Sequence, residues 1–305
     1  MLKTEGNIHY MVHDQFVKGN ILFADGSSLK TTDGNSVHPI VGVPKEAGYV
    51  EGMGSFAKFS YLSGIYQLNR THVIVADIRN HCLRLVYRET NHTTPFLGTC
   101  GVNGSRDGLD PLFSSPWGIT LLSEDPPVVI VTDRDNGALR AVNLLYKNVS
   151  TLPLTSPLHE PKFTVVDDDQ RSLFVSSKEQ LNRVNLDNYS VENVTGNGTS
   201  GDEDGWFDQA TFKSLCGMVR LSKNVLIVAD HHQSRLKVMD LEQRFVRSIC
   251  PKDGVQDADG DIRVCKVDRP FSLLVVDDFL YIGGQNVLKR VKGKTGFINS
   301  CLSIM

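Results

Sequence analysis

VIVADIRNHCLR, residues 73–84, decides the fold of this chain because it recurs. Three or four apolar residues, a small residue, an aspartate, a polar turn and a basic residue return in the same order as VIVTDRDNGALR (129–140) and LIVADHHQSRLK (226–237). ILFADGSSLKT (21–31) is a weaker copy, and LFVSSKEQLNR (173–183) and LYIGGQNVLKR (280–290) are degenerate ones. The aspartate slot falls at Asp25, Asp77, Asp133, Ser177, Asp230 and Gly284, with separations of 52, 56, 44, 53 and 54. A period near fifty marks an array of similar units.

A second phrase sits between these copies. GYVEGMGSFAKFSYLSGI (48–65) matches GDEDGWFDQATFKSLCGM (201–218), and GSRDGLDPLFSSPWGI (104–119) is the same phrase two residues shorter. DADGDIRVCKVDRPFSL (257–273) keeps only its Asp-Gly and the step of eight to Val267. Glycine in such turns supplies positive φ without steric cost, and the phenylalanine suits a plug between neighbouring sheets. Around the second copy, FSYLSGIYQL, THVIVAD, HCLRLVY and TTPFLGTC read as short strands separated by polar turns. Helical periodicity is hard to find, and 26 Gly and 12 Pro punctuate too often for long helices.

Four strands in each of six units predict an all-β chain, a six-bladed β-propeller with each blade an antiparallel sheet. Blades are expected over residues 19–45, 46–100, 101–157, 158–197, 198–251 and 252–305, with residues 1–18 an arm or a ring-closing strand. A β-sandwich pair does not need this period, and a β-helix uses coils of about twenty residues.

The two phrases together resemble the NHL repeat family, whose units read acidic-Gly, then A-x-F-x-x-P-x-G-I, then V-A-D-x-x-N-H-x-I-R. DGLDPLFSSPWGI and VADIRNHCLR are the close matches here. The resemblance runs from about residue 19 to residue 296, strongest in units two, three and five. It implies the propeller fold and leaves function open, because NHL propellers serve as adhesion modules, RNA-binding domains and lyases alike.

With 40% apolar and 22% charged residues, the 305-residue chain can bury a large core. A formal charge of −3 argues against a protein built mainly to hold nucleic acid. No apolar run approaches the length that spans a membrane. The opening MLKTEGNIHYMVHDQ lacks a signal-peptide core, which leaves a cytosolic protein or a mature segment. N-x-S/T occurs at Asn69, Asn91, Asn103, Asn148, Asn188, Asn193 and Asn197. Chance would give about two or three such sites, and these fall mostly in polar, turn-like stretches. With six cysteines they point to an extracellular or secretory setting.

Cys82 and Cys100 flank the turn expected at Asn91 and are predicted to bridge. Cys250 and Cys265 flank one connection, and Cys216 with Cys301 follows by elimination among fifteen pairings. Six reduced thiols in a cytosolic protein is the alternative.

Asp25, Asp77, Asp133 and Asp230 are either an inward ring of metal ligands or turn carboxylates accepting backbone hydrogen bonds. The second is favoured, since Ser177 and Gly284 break the ring. Arg84, Arg140 and Lys237 are expected to pair with neighbouring carboxylates at the surface or to solvate a strand, and such exposed pairs are worth about 0–1 kcal/mol each. DADGD (257–261) fails the calcium-loop spacing, and GNGTSG (196–201) is noise for a nucleotide site because no helix is expected after it. No catalytic residue, metal site or cofactor is assigned.

By the strand reading, Asn69, Asn91, Asn148 and Asn188 share one side of the disc. Asn103 and Asn197 fall on the other, and Asn193 lies on or beside an outer strand. The less shielded side is expected to carry a partner site exposing Arg79, Arg134, Asp135, His231, His232 and Trp206. The function expected is a non-catalytic extracellular module that binds a protein, peptide or glycan. The alternatives are a metal-dependent lyase or hydrolase of the secretory pathway working in the channel, and an intracellular RNA- or protein-binding domain with a basic face.

Overall fold

In a computed structural model, residues 1–249 and 267–292 are described. Unit one contains β1 (Leu2–His13), β2 (Ile21–Asp25), β3 (Ser28–Thr32) and β4 (Val37–Gly42). Unit two contains β5 (Gly52–Met53), β6 (Leu62–Gln67), β7 (His72–Asp77), β8 (Cys82–Tyr87) and β9 (His92–Leu97). Unit three contains β10 (Pro116–Glu124), β11 (Pro127–Asp133), β12 (Ala138–Asn143) and β13 (Asn148–Thr151). Unit four contains β14 (Pro161–Val166), β15 (Ser172–Ser177), β16 (Gln180–Asn185) and β17 (Val191–Thr195). Unit five contains β18 (Gly205–Trp206), β19 (Leu215–Ser222), β20 (Val225–Asp230), β21 (Arg235–Asp240) and β22 (Phe245–Ile249). The last unit contains β23 (Ser272–Val276) and β24 (Phe279–Lys292).

All pairings between these strands are antiparallel, and the innermost strands follow one another round a circuit. β1 touches β6, β6 touches β10, β10 touches β14, β14 touches β19, β19 touches β23, and β23 returns to β1. The fold is an all-β propeller of four-stranded antiparallel sheets. Two of those sheets are widened to five strands by the short β5 and β18, which the inter-unit phrases lay along β9 and β22.

The expected six separate sheets are not found: hydrogen bonding joins the described strands into five. The reason lies in β1. Its first half pairs with β24 (Leu2 opposite Leu288) and its second half with β2 (His13 opposite Ile21). One strand thus fuses the last unit to the first in a six-stranded sheet. Of the two expectations for residues 1–18, β1 is not a loose arm: it is a strand that joins the last unit to the first. The tail after Gly296 lies outside the described residues.

Each strong repeat is locked by its own phrase. Asp77 accepts from the Ser60 N–H at 2.7 Å and from Asn80 Nδ2 at 2.8 Å. Asp133 does the same with Ser114 at 2.6 Å and Asn136 at 2.8 Å. Asp230 accepts from Ser214 at 2.9 Å and Lys213 at 3.0 Å, and Asp25 accepts from Gly6 at 2.7 Å. The aspartates are therefore hydrogen-bond acceptors within their own units. Most of their backbone donors lie ahead of the innermost strand instead of in the turn that carries them.

The cations correct the sequence reading, because Arg84, Arg140 and Lys237 are fully buried. Arg140 pairs with Asp133 at 2.6 Å, donates to the carbonyls of Leu112 (2.8 Å) and Arg106 (2.7 Å), and reaches Asp107 at 2.8 Å. Arg84 reaches the carbonyls of Lys58 and Val50, and Lys237 pairs with Asp204 at 2.8 Å. Asp107 and Asp204 are the acidic residues of the inter-unit phrase. The two repeated phrases are therefore the two halves of one buried latch. Beneath the latch, Phe59, Phe113 and Phe212 are wholly buried, each worth about 1.5–3 kcal/mol of burial. Phe113 packs on Gly98 of the preceding unit, where a Cβ would come within 3.1 Å of its ring.

Unit four departs from this scheme. Ser177 pairs directly with Gln180, whereas Asp77 pairs with Cys82, so the turn is two residues shorter. Asn182 then occupies the register of Arg84, and Arg183 projects from the other face to pair with Asp167 at 2.7 Å.

Cys82 and Cys100 form the predicted bridge, with Cα atoms 5.0 Å apart. The bridge does not join two paired strand residues, because β9 ends at Leu97 opposite Leu83 and Cys100 lies in the turn beyond. Cys216 is a buried thiol. Cys250, Cys265, Cys301 and the DADGD loop (257–261) lie outside the described residues. No helix follows residues 196–201, as expected.

Candidate functional site

The innermost strands share a defect. In units one to five the residue opposite the aspartate slot is Ile8, Leu62, Pro116, Pro161 and Leu215, and the register slips immediately after it in every case. A bulge at a barrel or sheet rim re-aims a side chain. The side chains at the slip are His9, Ser63, Trp117, Lys162 and Cys216, and Phe271 completes the set beside His9 at 4.8 Å between ring centres.

These residues meet across the axis. His9 lies 6.1 Å from Trp117 of unit three, and the Lys162 ammonium lies 5.9 Å from the centre of that indole. Lys162 donates to Ser214 Oγ at 2.9 Å and lies 3.8 Å from the Cys216 sulfur. One step deeper, Tyr10 stacks on Phe163 of unit four at 4.9 Å and donates its hydroxyl to the Ile119 carbonyl at 2.9 Å. Units one, three and four touch only because their side chains fill the axis, so the channel is closed at this level. Close approach of neighbouring inner strands explains the glycine of the phrase. A Cβ on Gly64 would stand 2.6 Å from the Trp117 carbonyl, and one on Gly118 would collide with the Lys162 carbonyl.

Around this axial mouth stand the turns between second and third strands, which are short 3₁₀ turns at Ile78–Asn80, Arg134–Asn136 and His231–Gln233. They carry the predicted face. Arg79 is exposed and lies over the Tyr61 ring at 4.0 Å. Arg134 lies over Trp117 at 5.5 Å and pairs with Glu160 at 2.9 Å, while Asp135 accepts from the Ser115 hydroxyl at 2.5 Å. His232 is exposed, but His231 is 7% exposed and stacks on Phe271 at 3.8 Å. Trp206 does not belong to this group. β18 pairs it with Phe245, at the turn between the third and fourth strands on the opposite side. The inter-unit phrase crosses the blade edge before it returns, which carries Trp206 away.

The mouth is electropositive. Arg79, Arg134, Lys162, Lys178, Lys213 and Arg269 stand against the carboxylates of Asp135, Glu160 and Glu179. Burial first, then His232 and the cations Lys162 and Arg269, lower the His231 pKa to about 3. Burial with Lys162, Lys213 and Arg269 also lowers His232. Burial likewise takes His9 to about 4. Burial opposes ionisation of Glu160, yet Arg134, Lys162 and Lys178 hold its carboxyl below the usual range. All three imidazoles are therefore neutral at pH 7. Buried atoms without partners among the described residues include Trp117 Nε1, His231 Nδ1 and Ser63 Oγ. Among the described residues no group of three or more His, Cys, Asp or Glu side chains is placed to hold a metal ion.

All seven sequon asparagines are exposed. Asn69, Asn91 and Asn188 lie in the turns opposite the mouth, and Asn148 opens β13 on that side. Asn103 and Asn197 lie in inter-unit connections on the mouth side, and Asn193 lies in β17. His9, Trp117, Lys162, Cys216 and Phe271 were not foreseen as a set. For Trp117 and Cys216 the signal is the residue before the glycine in WGI and CGM, read down the repeats instead of along them; His9, Lys162 and Phe271 have no such glycine and leave no mark of this kind.

No protein-family model matches the chain. Over 110 residues it is 30% identical to human (Homo sapiens) NHL repeat-containing protein 2, a match covering 35% of this chain and 15% of that protein. Over 128 residues it is 30% identical to the Gallus gallus protein of the same name, covering 42% and 17%. These matches span a small part of the curated relatives' length. Among solved structures, an auxiliary nutrient binding protein from Bacteroides thetaiotaomicron superposes with a TM-score of 0.70 at 11% identity, covering 94% of this chain and 69% of that one. A streptogramin B lyase gives 0.59 at 10% identity, covering 95% and 94%. A chain of a nidogen/laminin complex gives 0.58 at 12% identity, covering 86% and 84%. At these identities the likeness is one of fold.

Proposed function

We propose, on the premise that the chain is an NHL-repeat β-propeller, that it is a non-catalytic extracellular recognition module whose mouth side binds a protein, peptide or glycan partner. The six-stranded sheet is read as two blades sharing β1, which makes a ring of six. The observation that carries this reading is the difference between the two sides. One side bears Asn69, Asn91, Asn148 and Asn188 in exposed positions, where glycans would project and shield it. The other gathers Arg79, Arg134, Asp135 and His232 round a half-buried tryptophan. Rigid strands hold these turns in place, which suits binding.

Solved neighbours include both a nutrient binding protein and a lyase, so a channel enzyme is the competing reading. The stack of Tyr10 on Phe163 favours recognition, since it fills the space a channel substrate would need. The intracellular alternative expects a basic face, and the mouth is basic, so sequon occupancy is what divides it from the extracellular reading.

Binding of the labelled protein to animal cell surfaces and extracellular matrix tests the proposal. Arg79→Glu with Arg134→Glu is expected to abolish binding, while Tyr146→Glu on the opposite side leaves it intact. Equal loss from both variants refutes the sided reading.

A further inference from the structure

Lys162 is 6% exposed. Taking an ammonium out of water is costly unless an anion or a full set of acceptors meets it. Its three donors find one good acceptor, Ser214 Oγ at 2.9 Å, and one weak one, the Cys216 sulfur at 3.8 Å. Among the described residues no carboxylate pairs with it, and Glu160, the acid that feels its charge, is held by Arg134 at 2.9 Å. Its indole neighbour repeats the pattern, for the Trp117 N–H is buried and has no acceptor among the described residues.

The Lys162 ammonium thus lies over the indole of Trp117, 5.9 Å from its centre, with its donors short of acceptors, under a rim of Arg79, Arg134, Lys213 and Arg269. The other buried cations of the fold are treated differently. Arg140 has Asp133, Lys237 has Asp204 and Lys30 has Asp25. Four inner strands besides that of Lys162 are bulged at the same register, so the arrangement of side chains here is built by the ring as a whole.

We propose that the axial mouth takes a carboxylate side chain of an acidic peptide segment, received by the Lys162 ammonium beside the Trp117 indole. The rim arginines and lysines draw flanking acids to the same surface. This rests on the mouth side being the partner side and adds the partner's chemistry. A carboxylate supplies the acceptors that the ammonium lacks, and charge-assisted hydrogen bonds of this kind are the strong ones. His231 and His232, both lowered first by burial, add no positive charge at the mouth, which leaves Lys162 as the central one.

The chain has two tryptophans, so Trp206→Phe leaves Trp117 as the single emitter. That variant is titrated with acetyl-tetraglutamate amide, acetyl-tetraglutamine amide and a thymidine octanucleotide, at low and physiological salt. Tetraglutamate is expected to shift Trp117 emission with a dissociation constant at or below about 1 mM at low salt, and tetraglutamine to leave it unchanged. Lys162→Met is expected to weaken tetraglutamate about tenfold or more, and Lys162→Arg less. No response to tetraglutamate, or a Lys162→Met that folds and binds as the parent does, overturns the proposal. Tighter binding of the octanucleotide overturns it in favour of a phosphate ligand. The peptide arms use a protein with Lys162 intact, so they decide even if Lys162→Met fails to fold. Failure here, with partner binding still lost on reversing Arg79 and Arg134, removes the carboxylate and keeps the face.

Discussion

Removing Arg140 should cost far more than a surface ion pair would. Its side chain is 1% exposed, Asp133 beside it is wholly buried, and the two are 2.6 Å apart. Arg140→Met keeps the aliphatic stem but strands the Asp133 carboxylate, the carbonyls of Leu112 and Arg106, and one contact to Asp107. Breaking a buried pair by deleting one partner costs about 3–5 kcal/mol. In a chain of this size each kcal/mol moves the melting midpoint by about 2 °C, so a fall of about 6–10 °C is expected. Arg183→Met supplies the control. Arg183 touches both Asp167 and Asp169, but its side chain is 38% exposed, and such pairs are worth about 1 kcal/mol or less. Asp133→Asn combined with Arg140→Met should recover part of the loss, because no buried charge is then left alone. Circular dichroism melts of the four proteins decide the matter. An Arg140→Met midpoint no lower than that of Arg183→Met would falsify the latch argument.

Stability should fall as pH drops below about 6.5. Burial lowers His9 to about 4 and His231 to about 3, so the unfolded chain binds more protons than the fold between 6.5 and those values. The contribution of these residues is complete above 6.5 and is lost through that window, at up to about 1.4 kcal/mol per pH unit for each. Asp77, raised by burial to about 6, works in the opposite direction between about 6 and 3.8, because there the fold holds the extra proton. His9→Phe or His231→Phe should therefore flatten the acid limb, and an unchanged slope in denaturant titrations from pH 7 to 5 would contradict the assignment. Replacing Cys82 and Cys100 together by alanine, which opens a loop of sequence separation 18, should cost about 3 kcal/mol. A loss under about 1 kcal/mol would show that the bridge adds little. Protein secreted from animal cells should carry glycans at Asn69, Asn91, Asn148 and Asn188. Glycopeptide mapping that finds these bare would remove the shielding argument.

The repeat made the architecture legible before any coordinates, because a latch that needs an acid, a turn amide and a cation at fixed spacing writes all three into every strong copy. It misled where spacing changed. In unit four the turn loses two residues, so Arg183 looks like the cation of the latch while Asn182 holds that place. In unit one Lys30, not the following Thr31, pairs with Asp25 at 2.8 Å. The choice between arm and ring-closing strand for residues 1–18 is not legible in the sequence, because a strand shared between two units carries no phrase of its own. Exposure of Arg84 and Arg140 was misjudged for a related reason. Their acceptors are backbone carbonyls such as those of Lys58 and Leu112, which leave no mark in a sequence. The axial set was harder still, since His9 and Trp117 meet only when units one and three face each other across the ring.

Sided recognition is tested most directly by a photo-crosslinking amino acid placed singly at Arg79, His232, Tyr146 and Glu89, with the protein then exposed to cells and matrix. Adducts are expected from positions 79 and 232, and none from 146 and 89. Adducts only from 146 and 89 would put the partner on the glycan-bearing side and contradict the account.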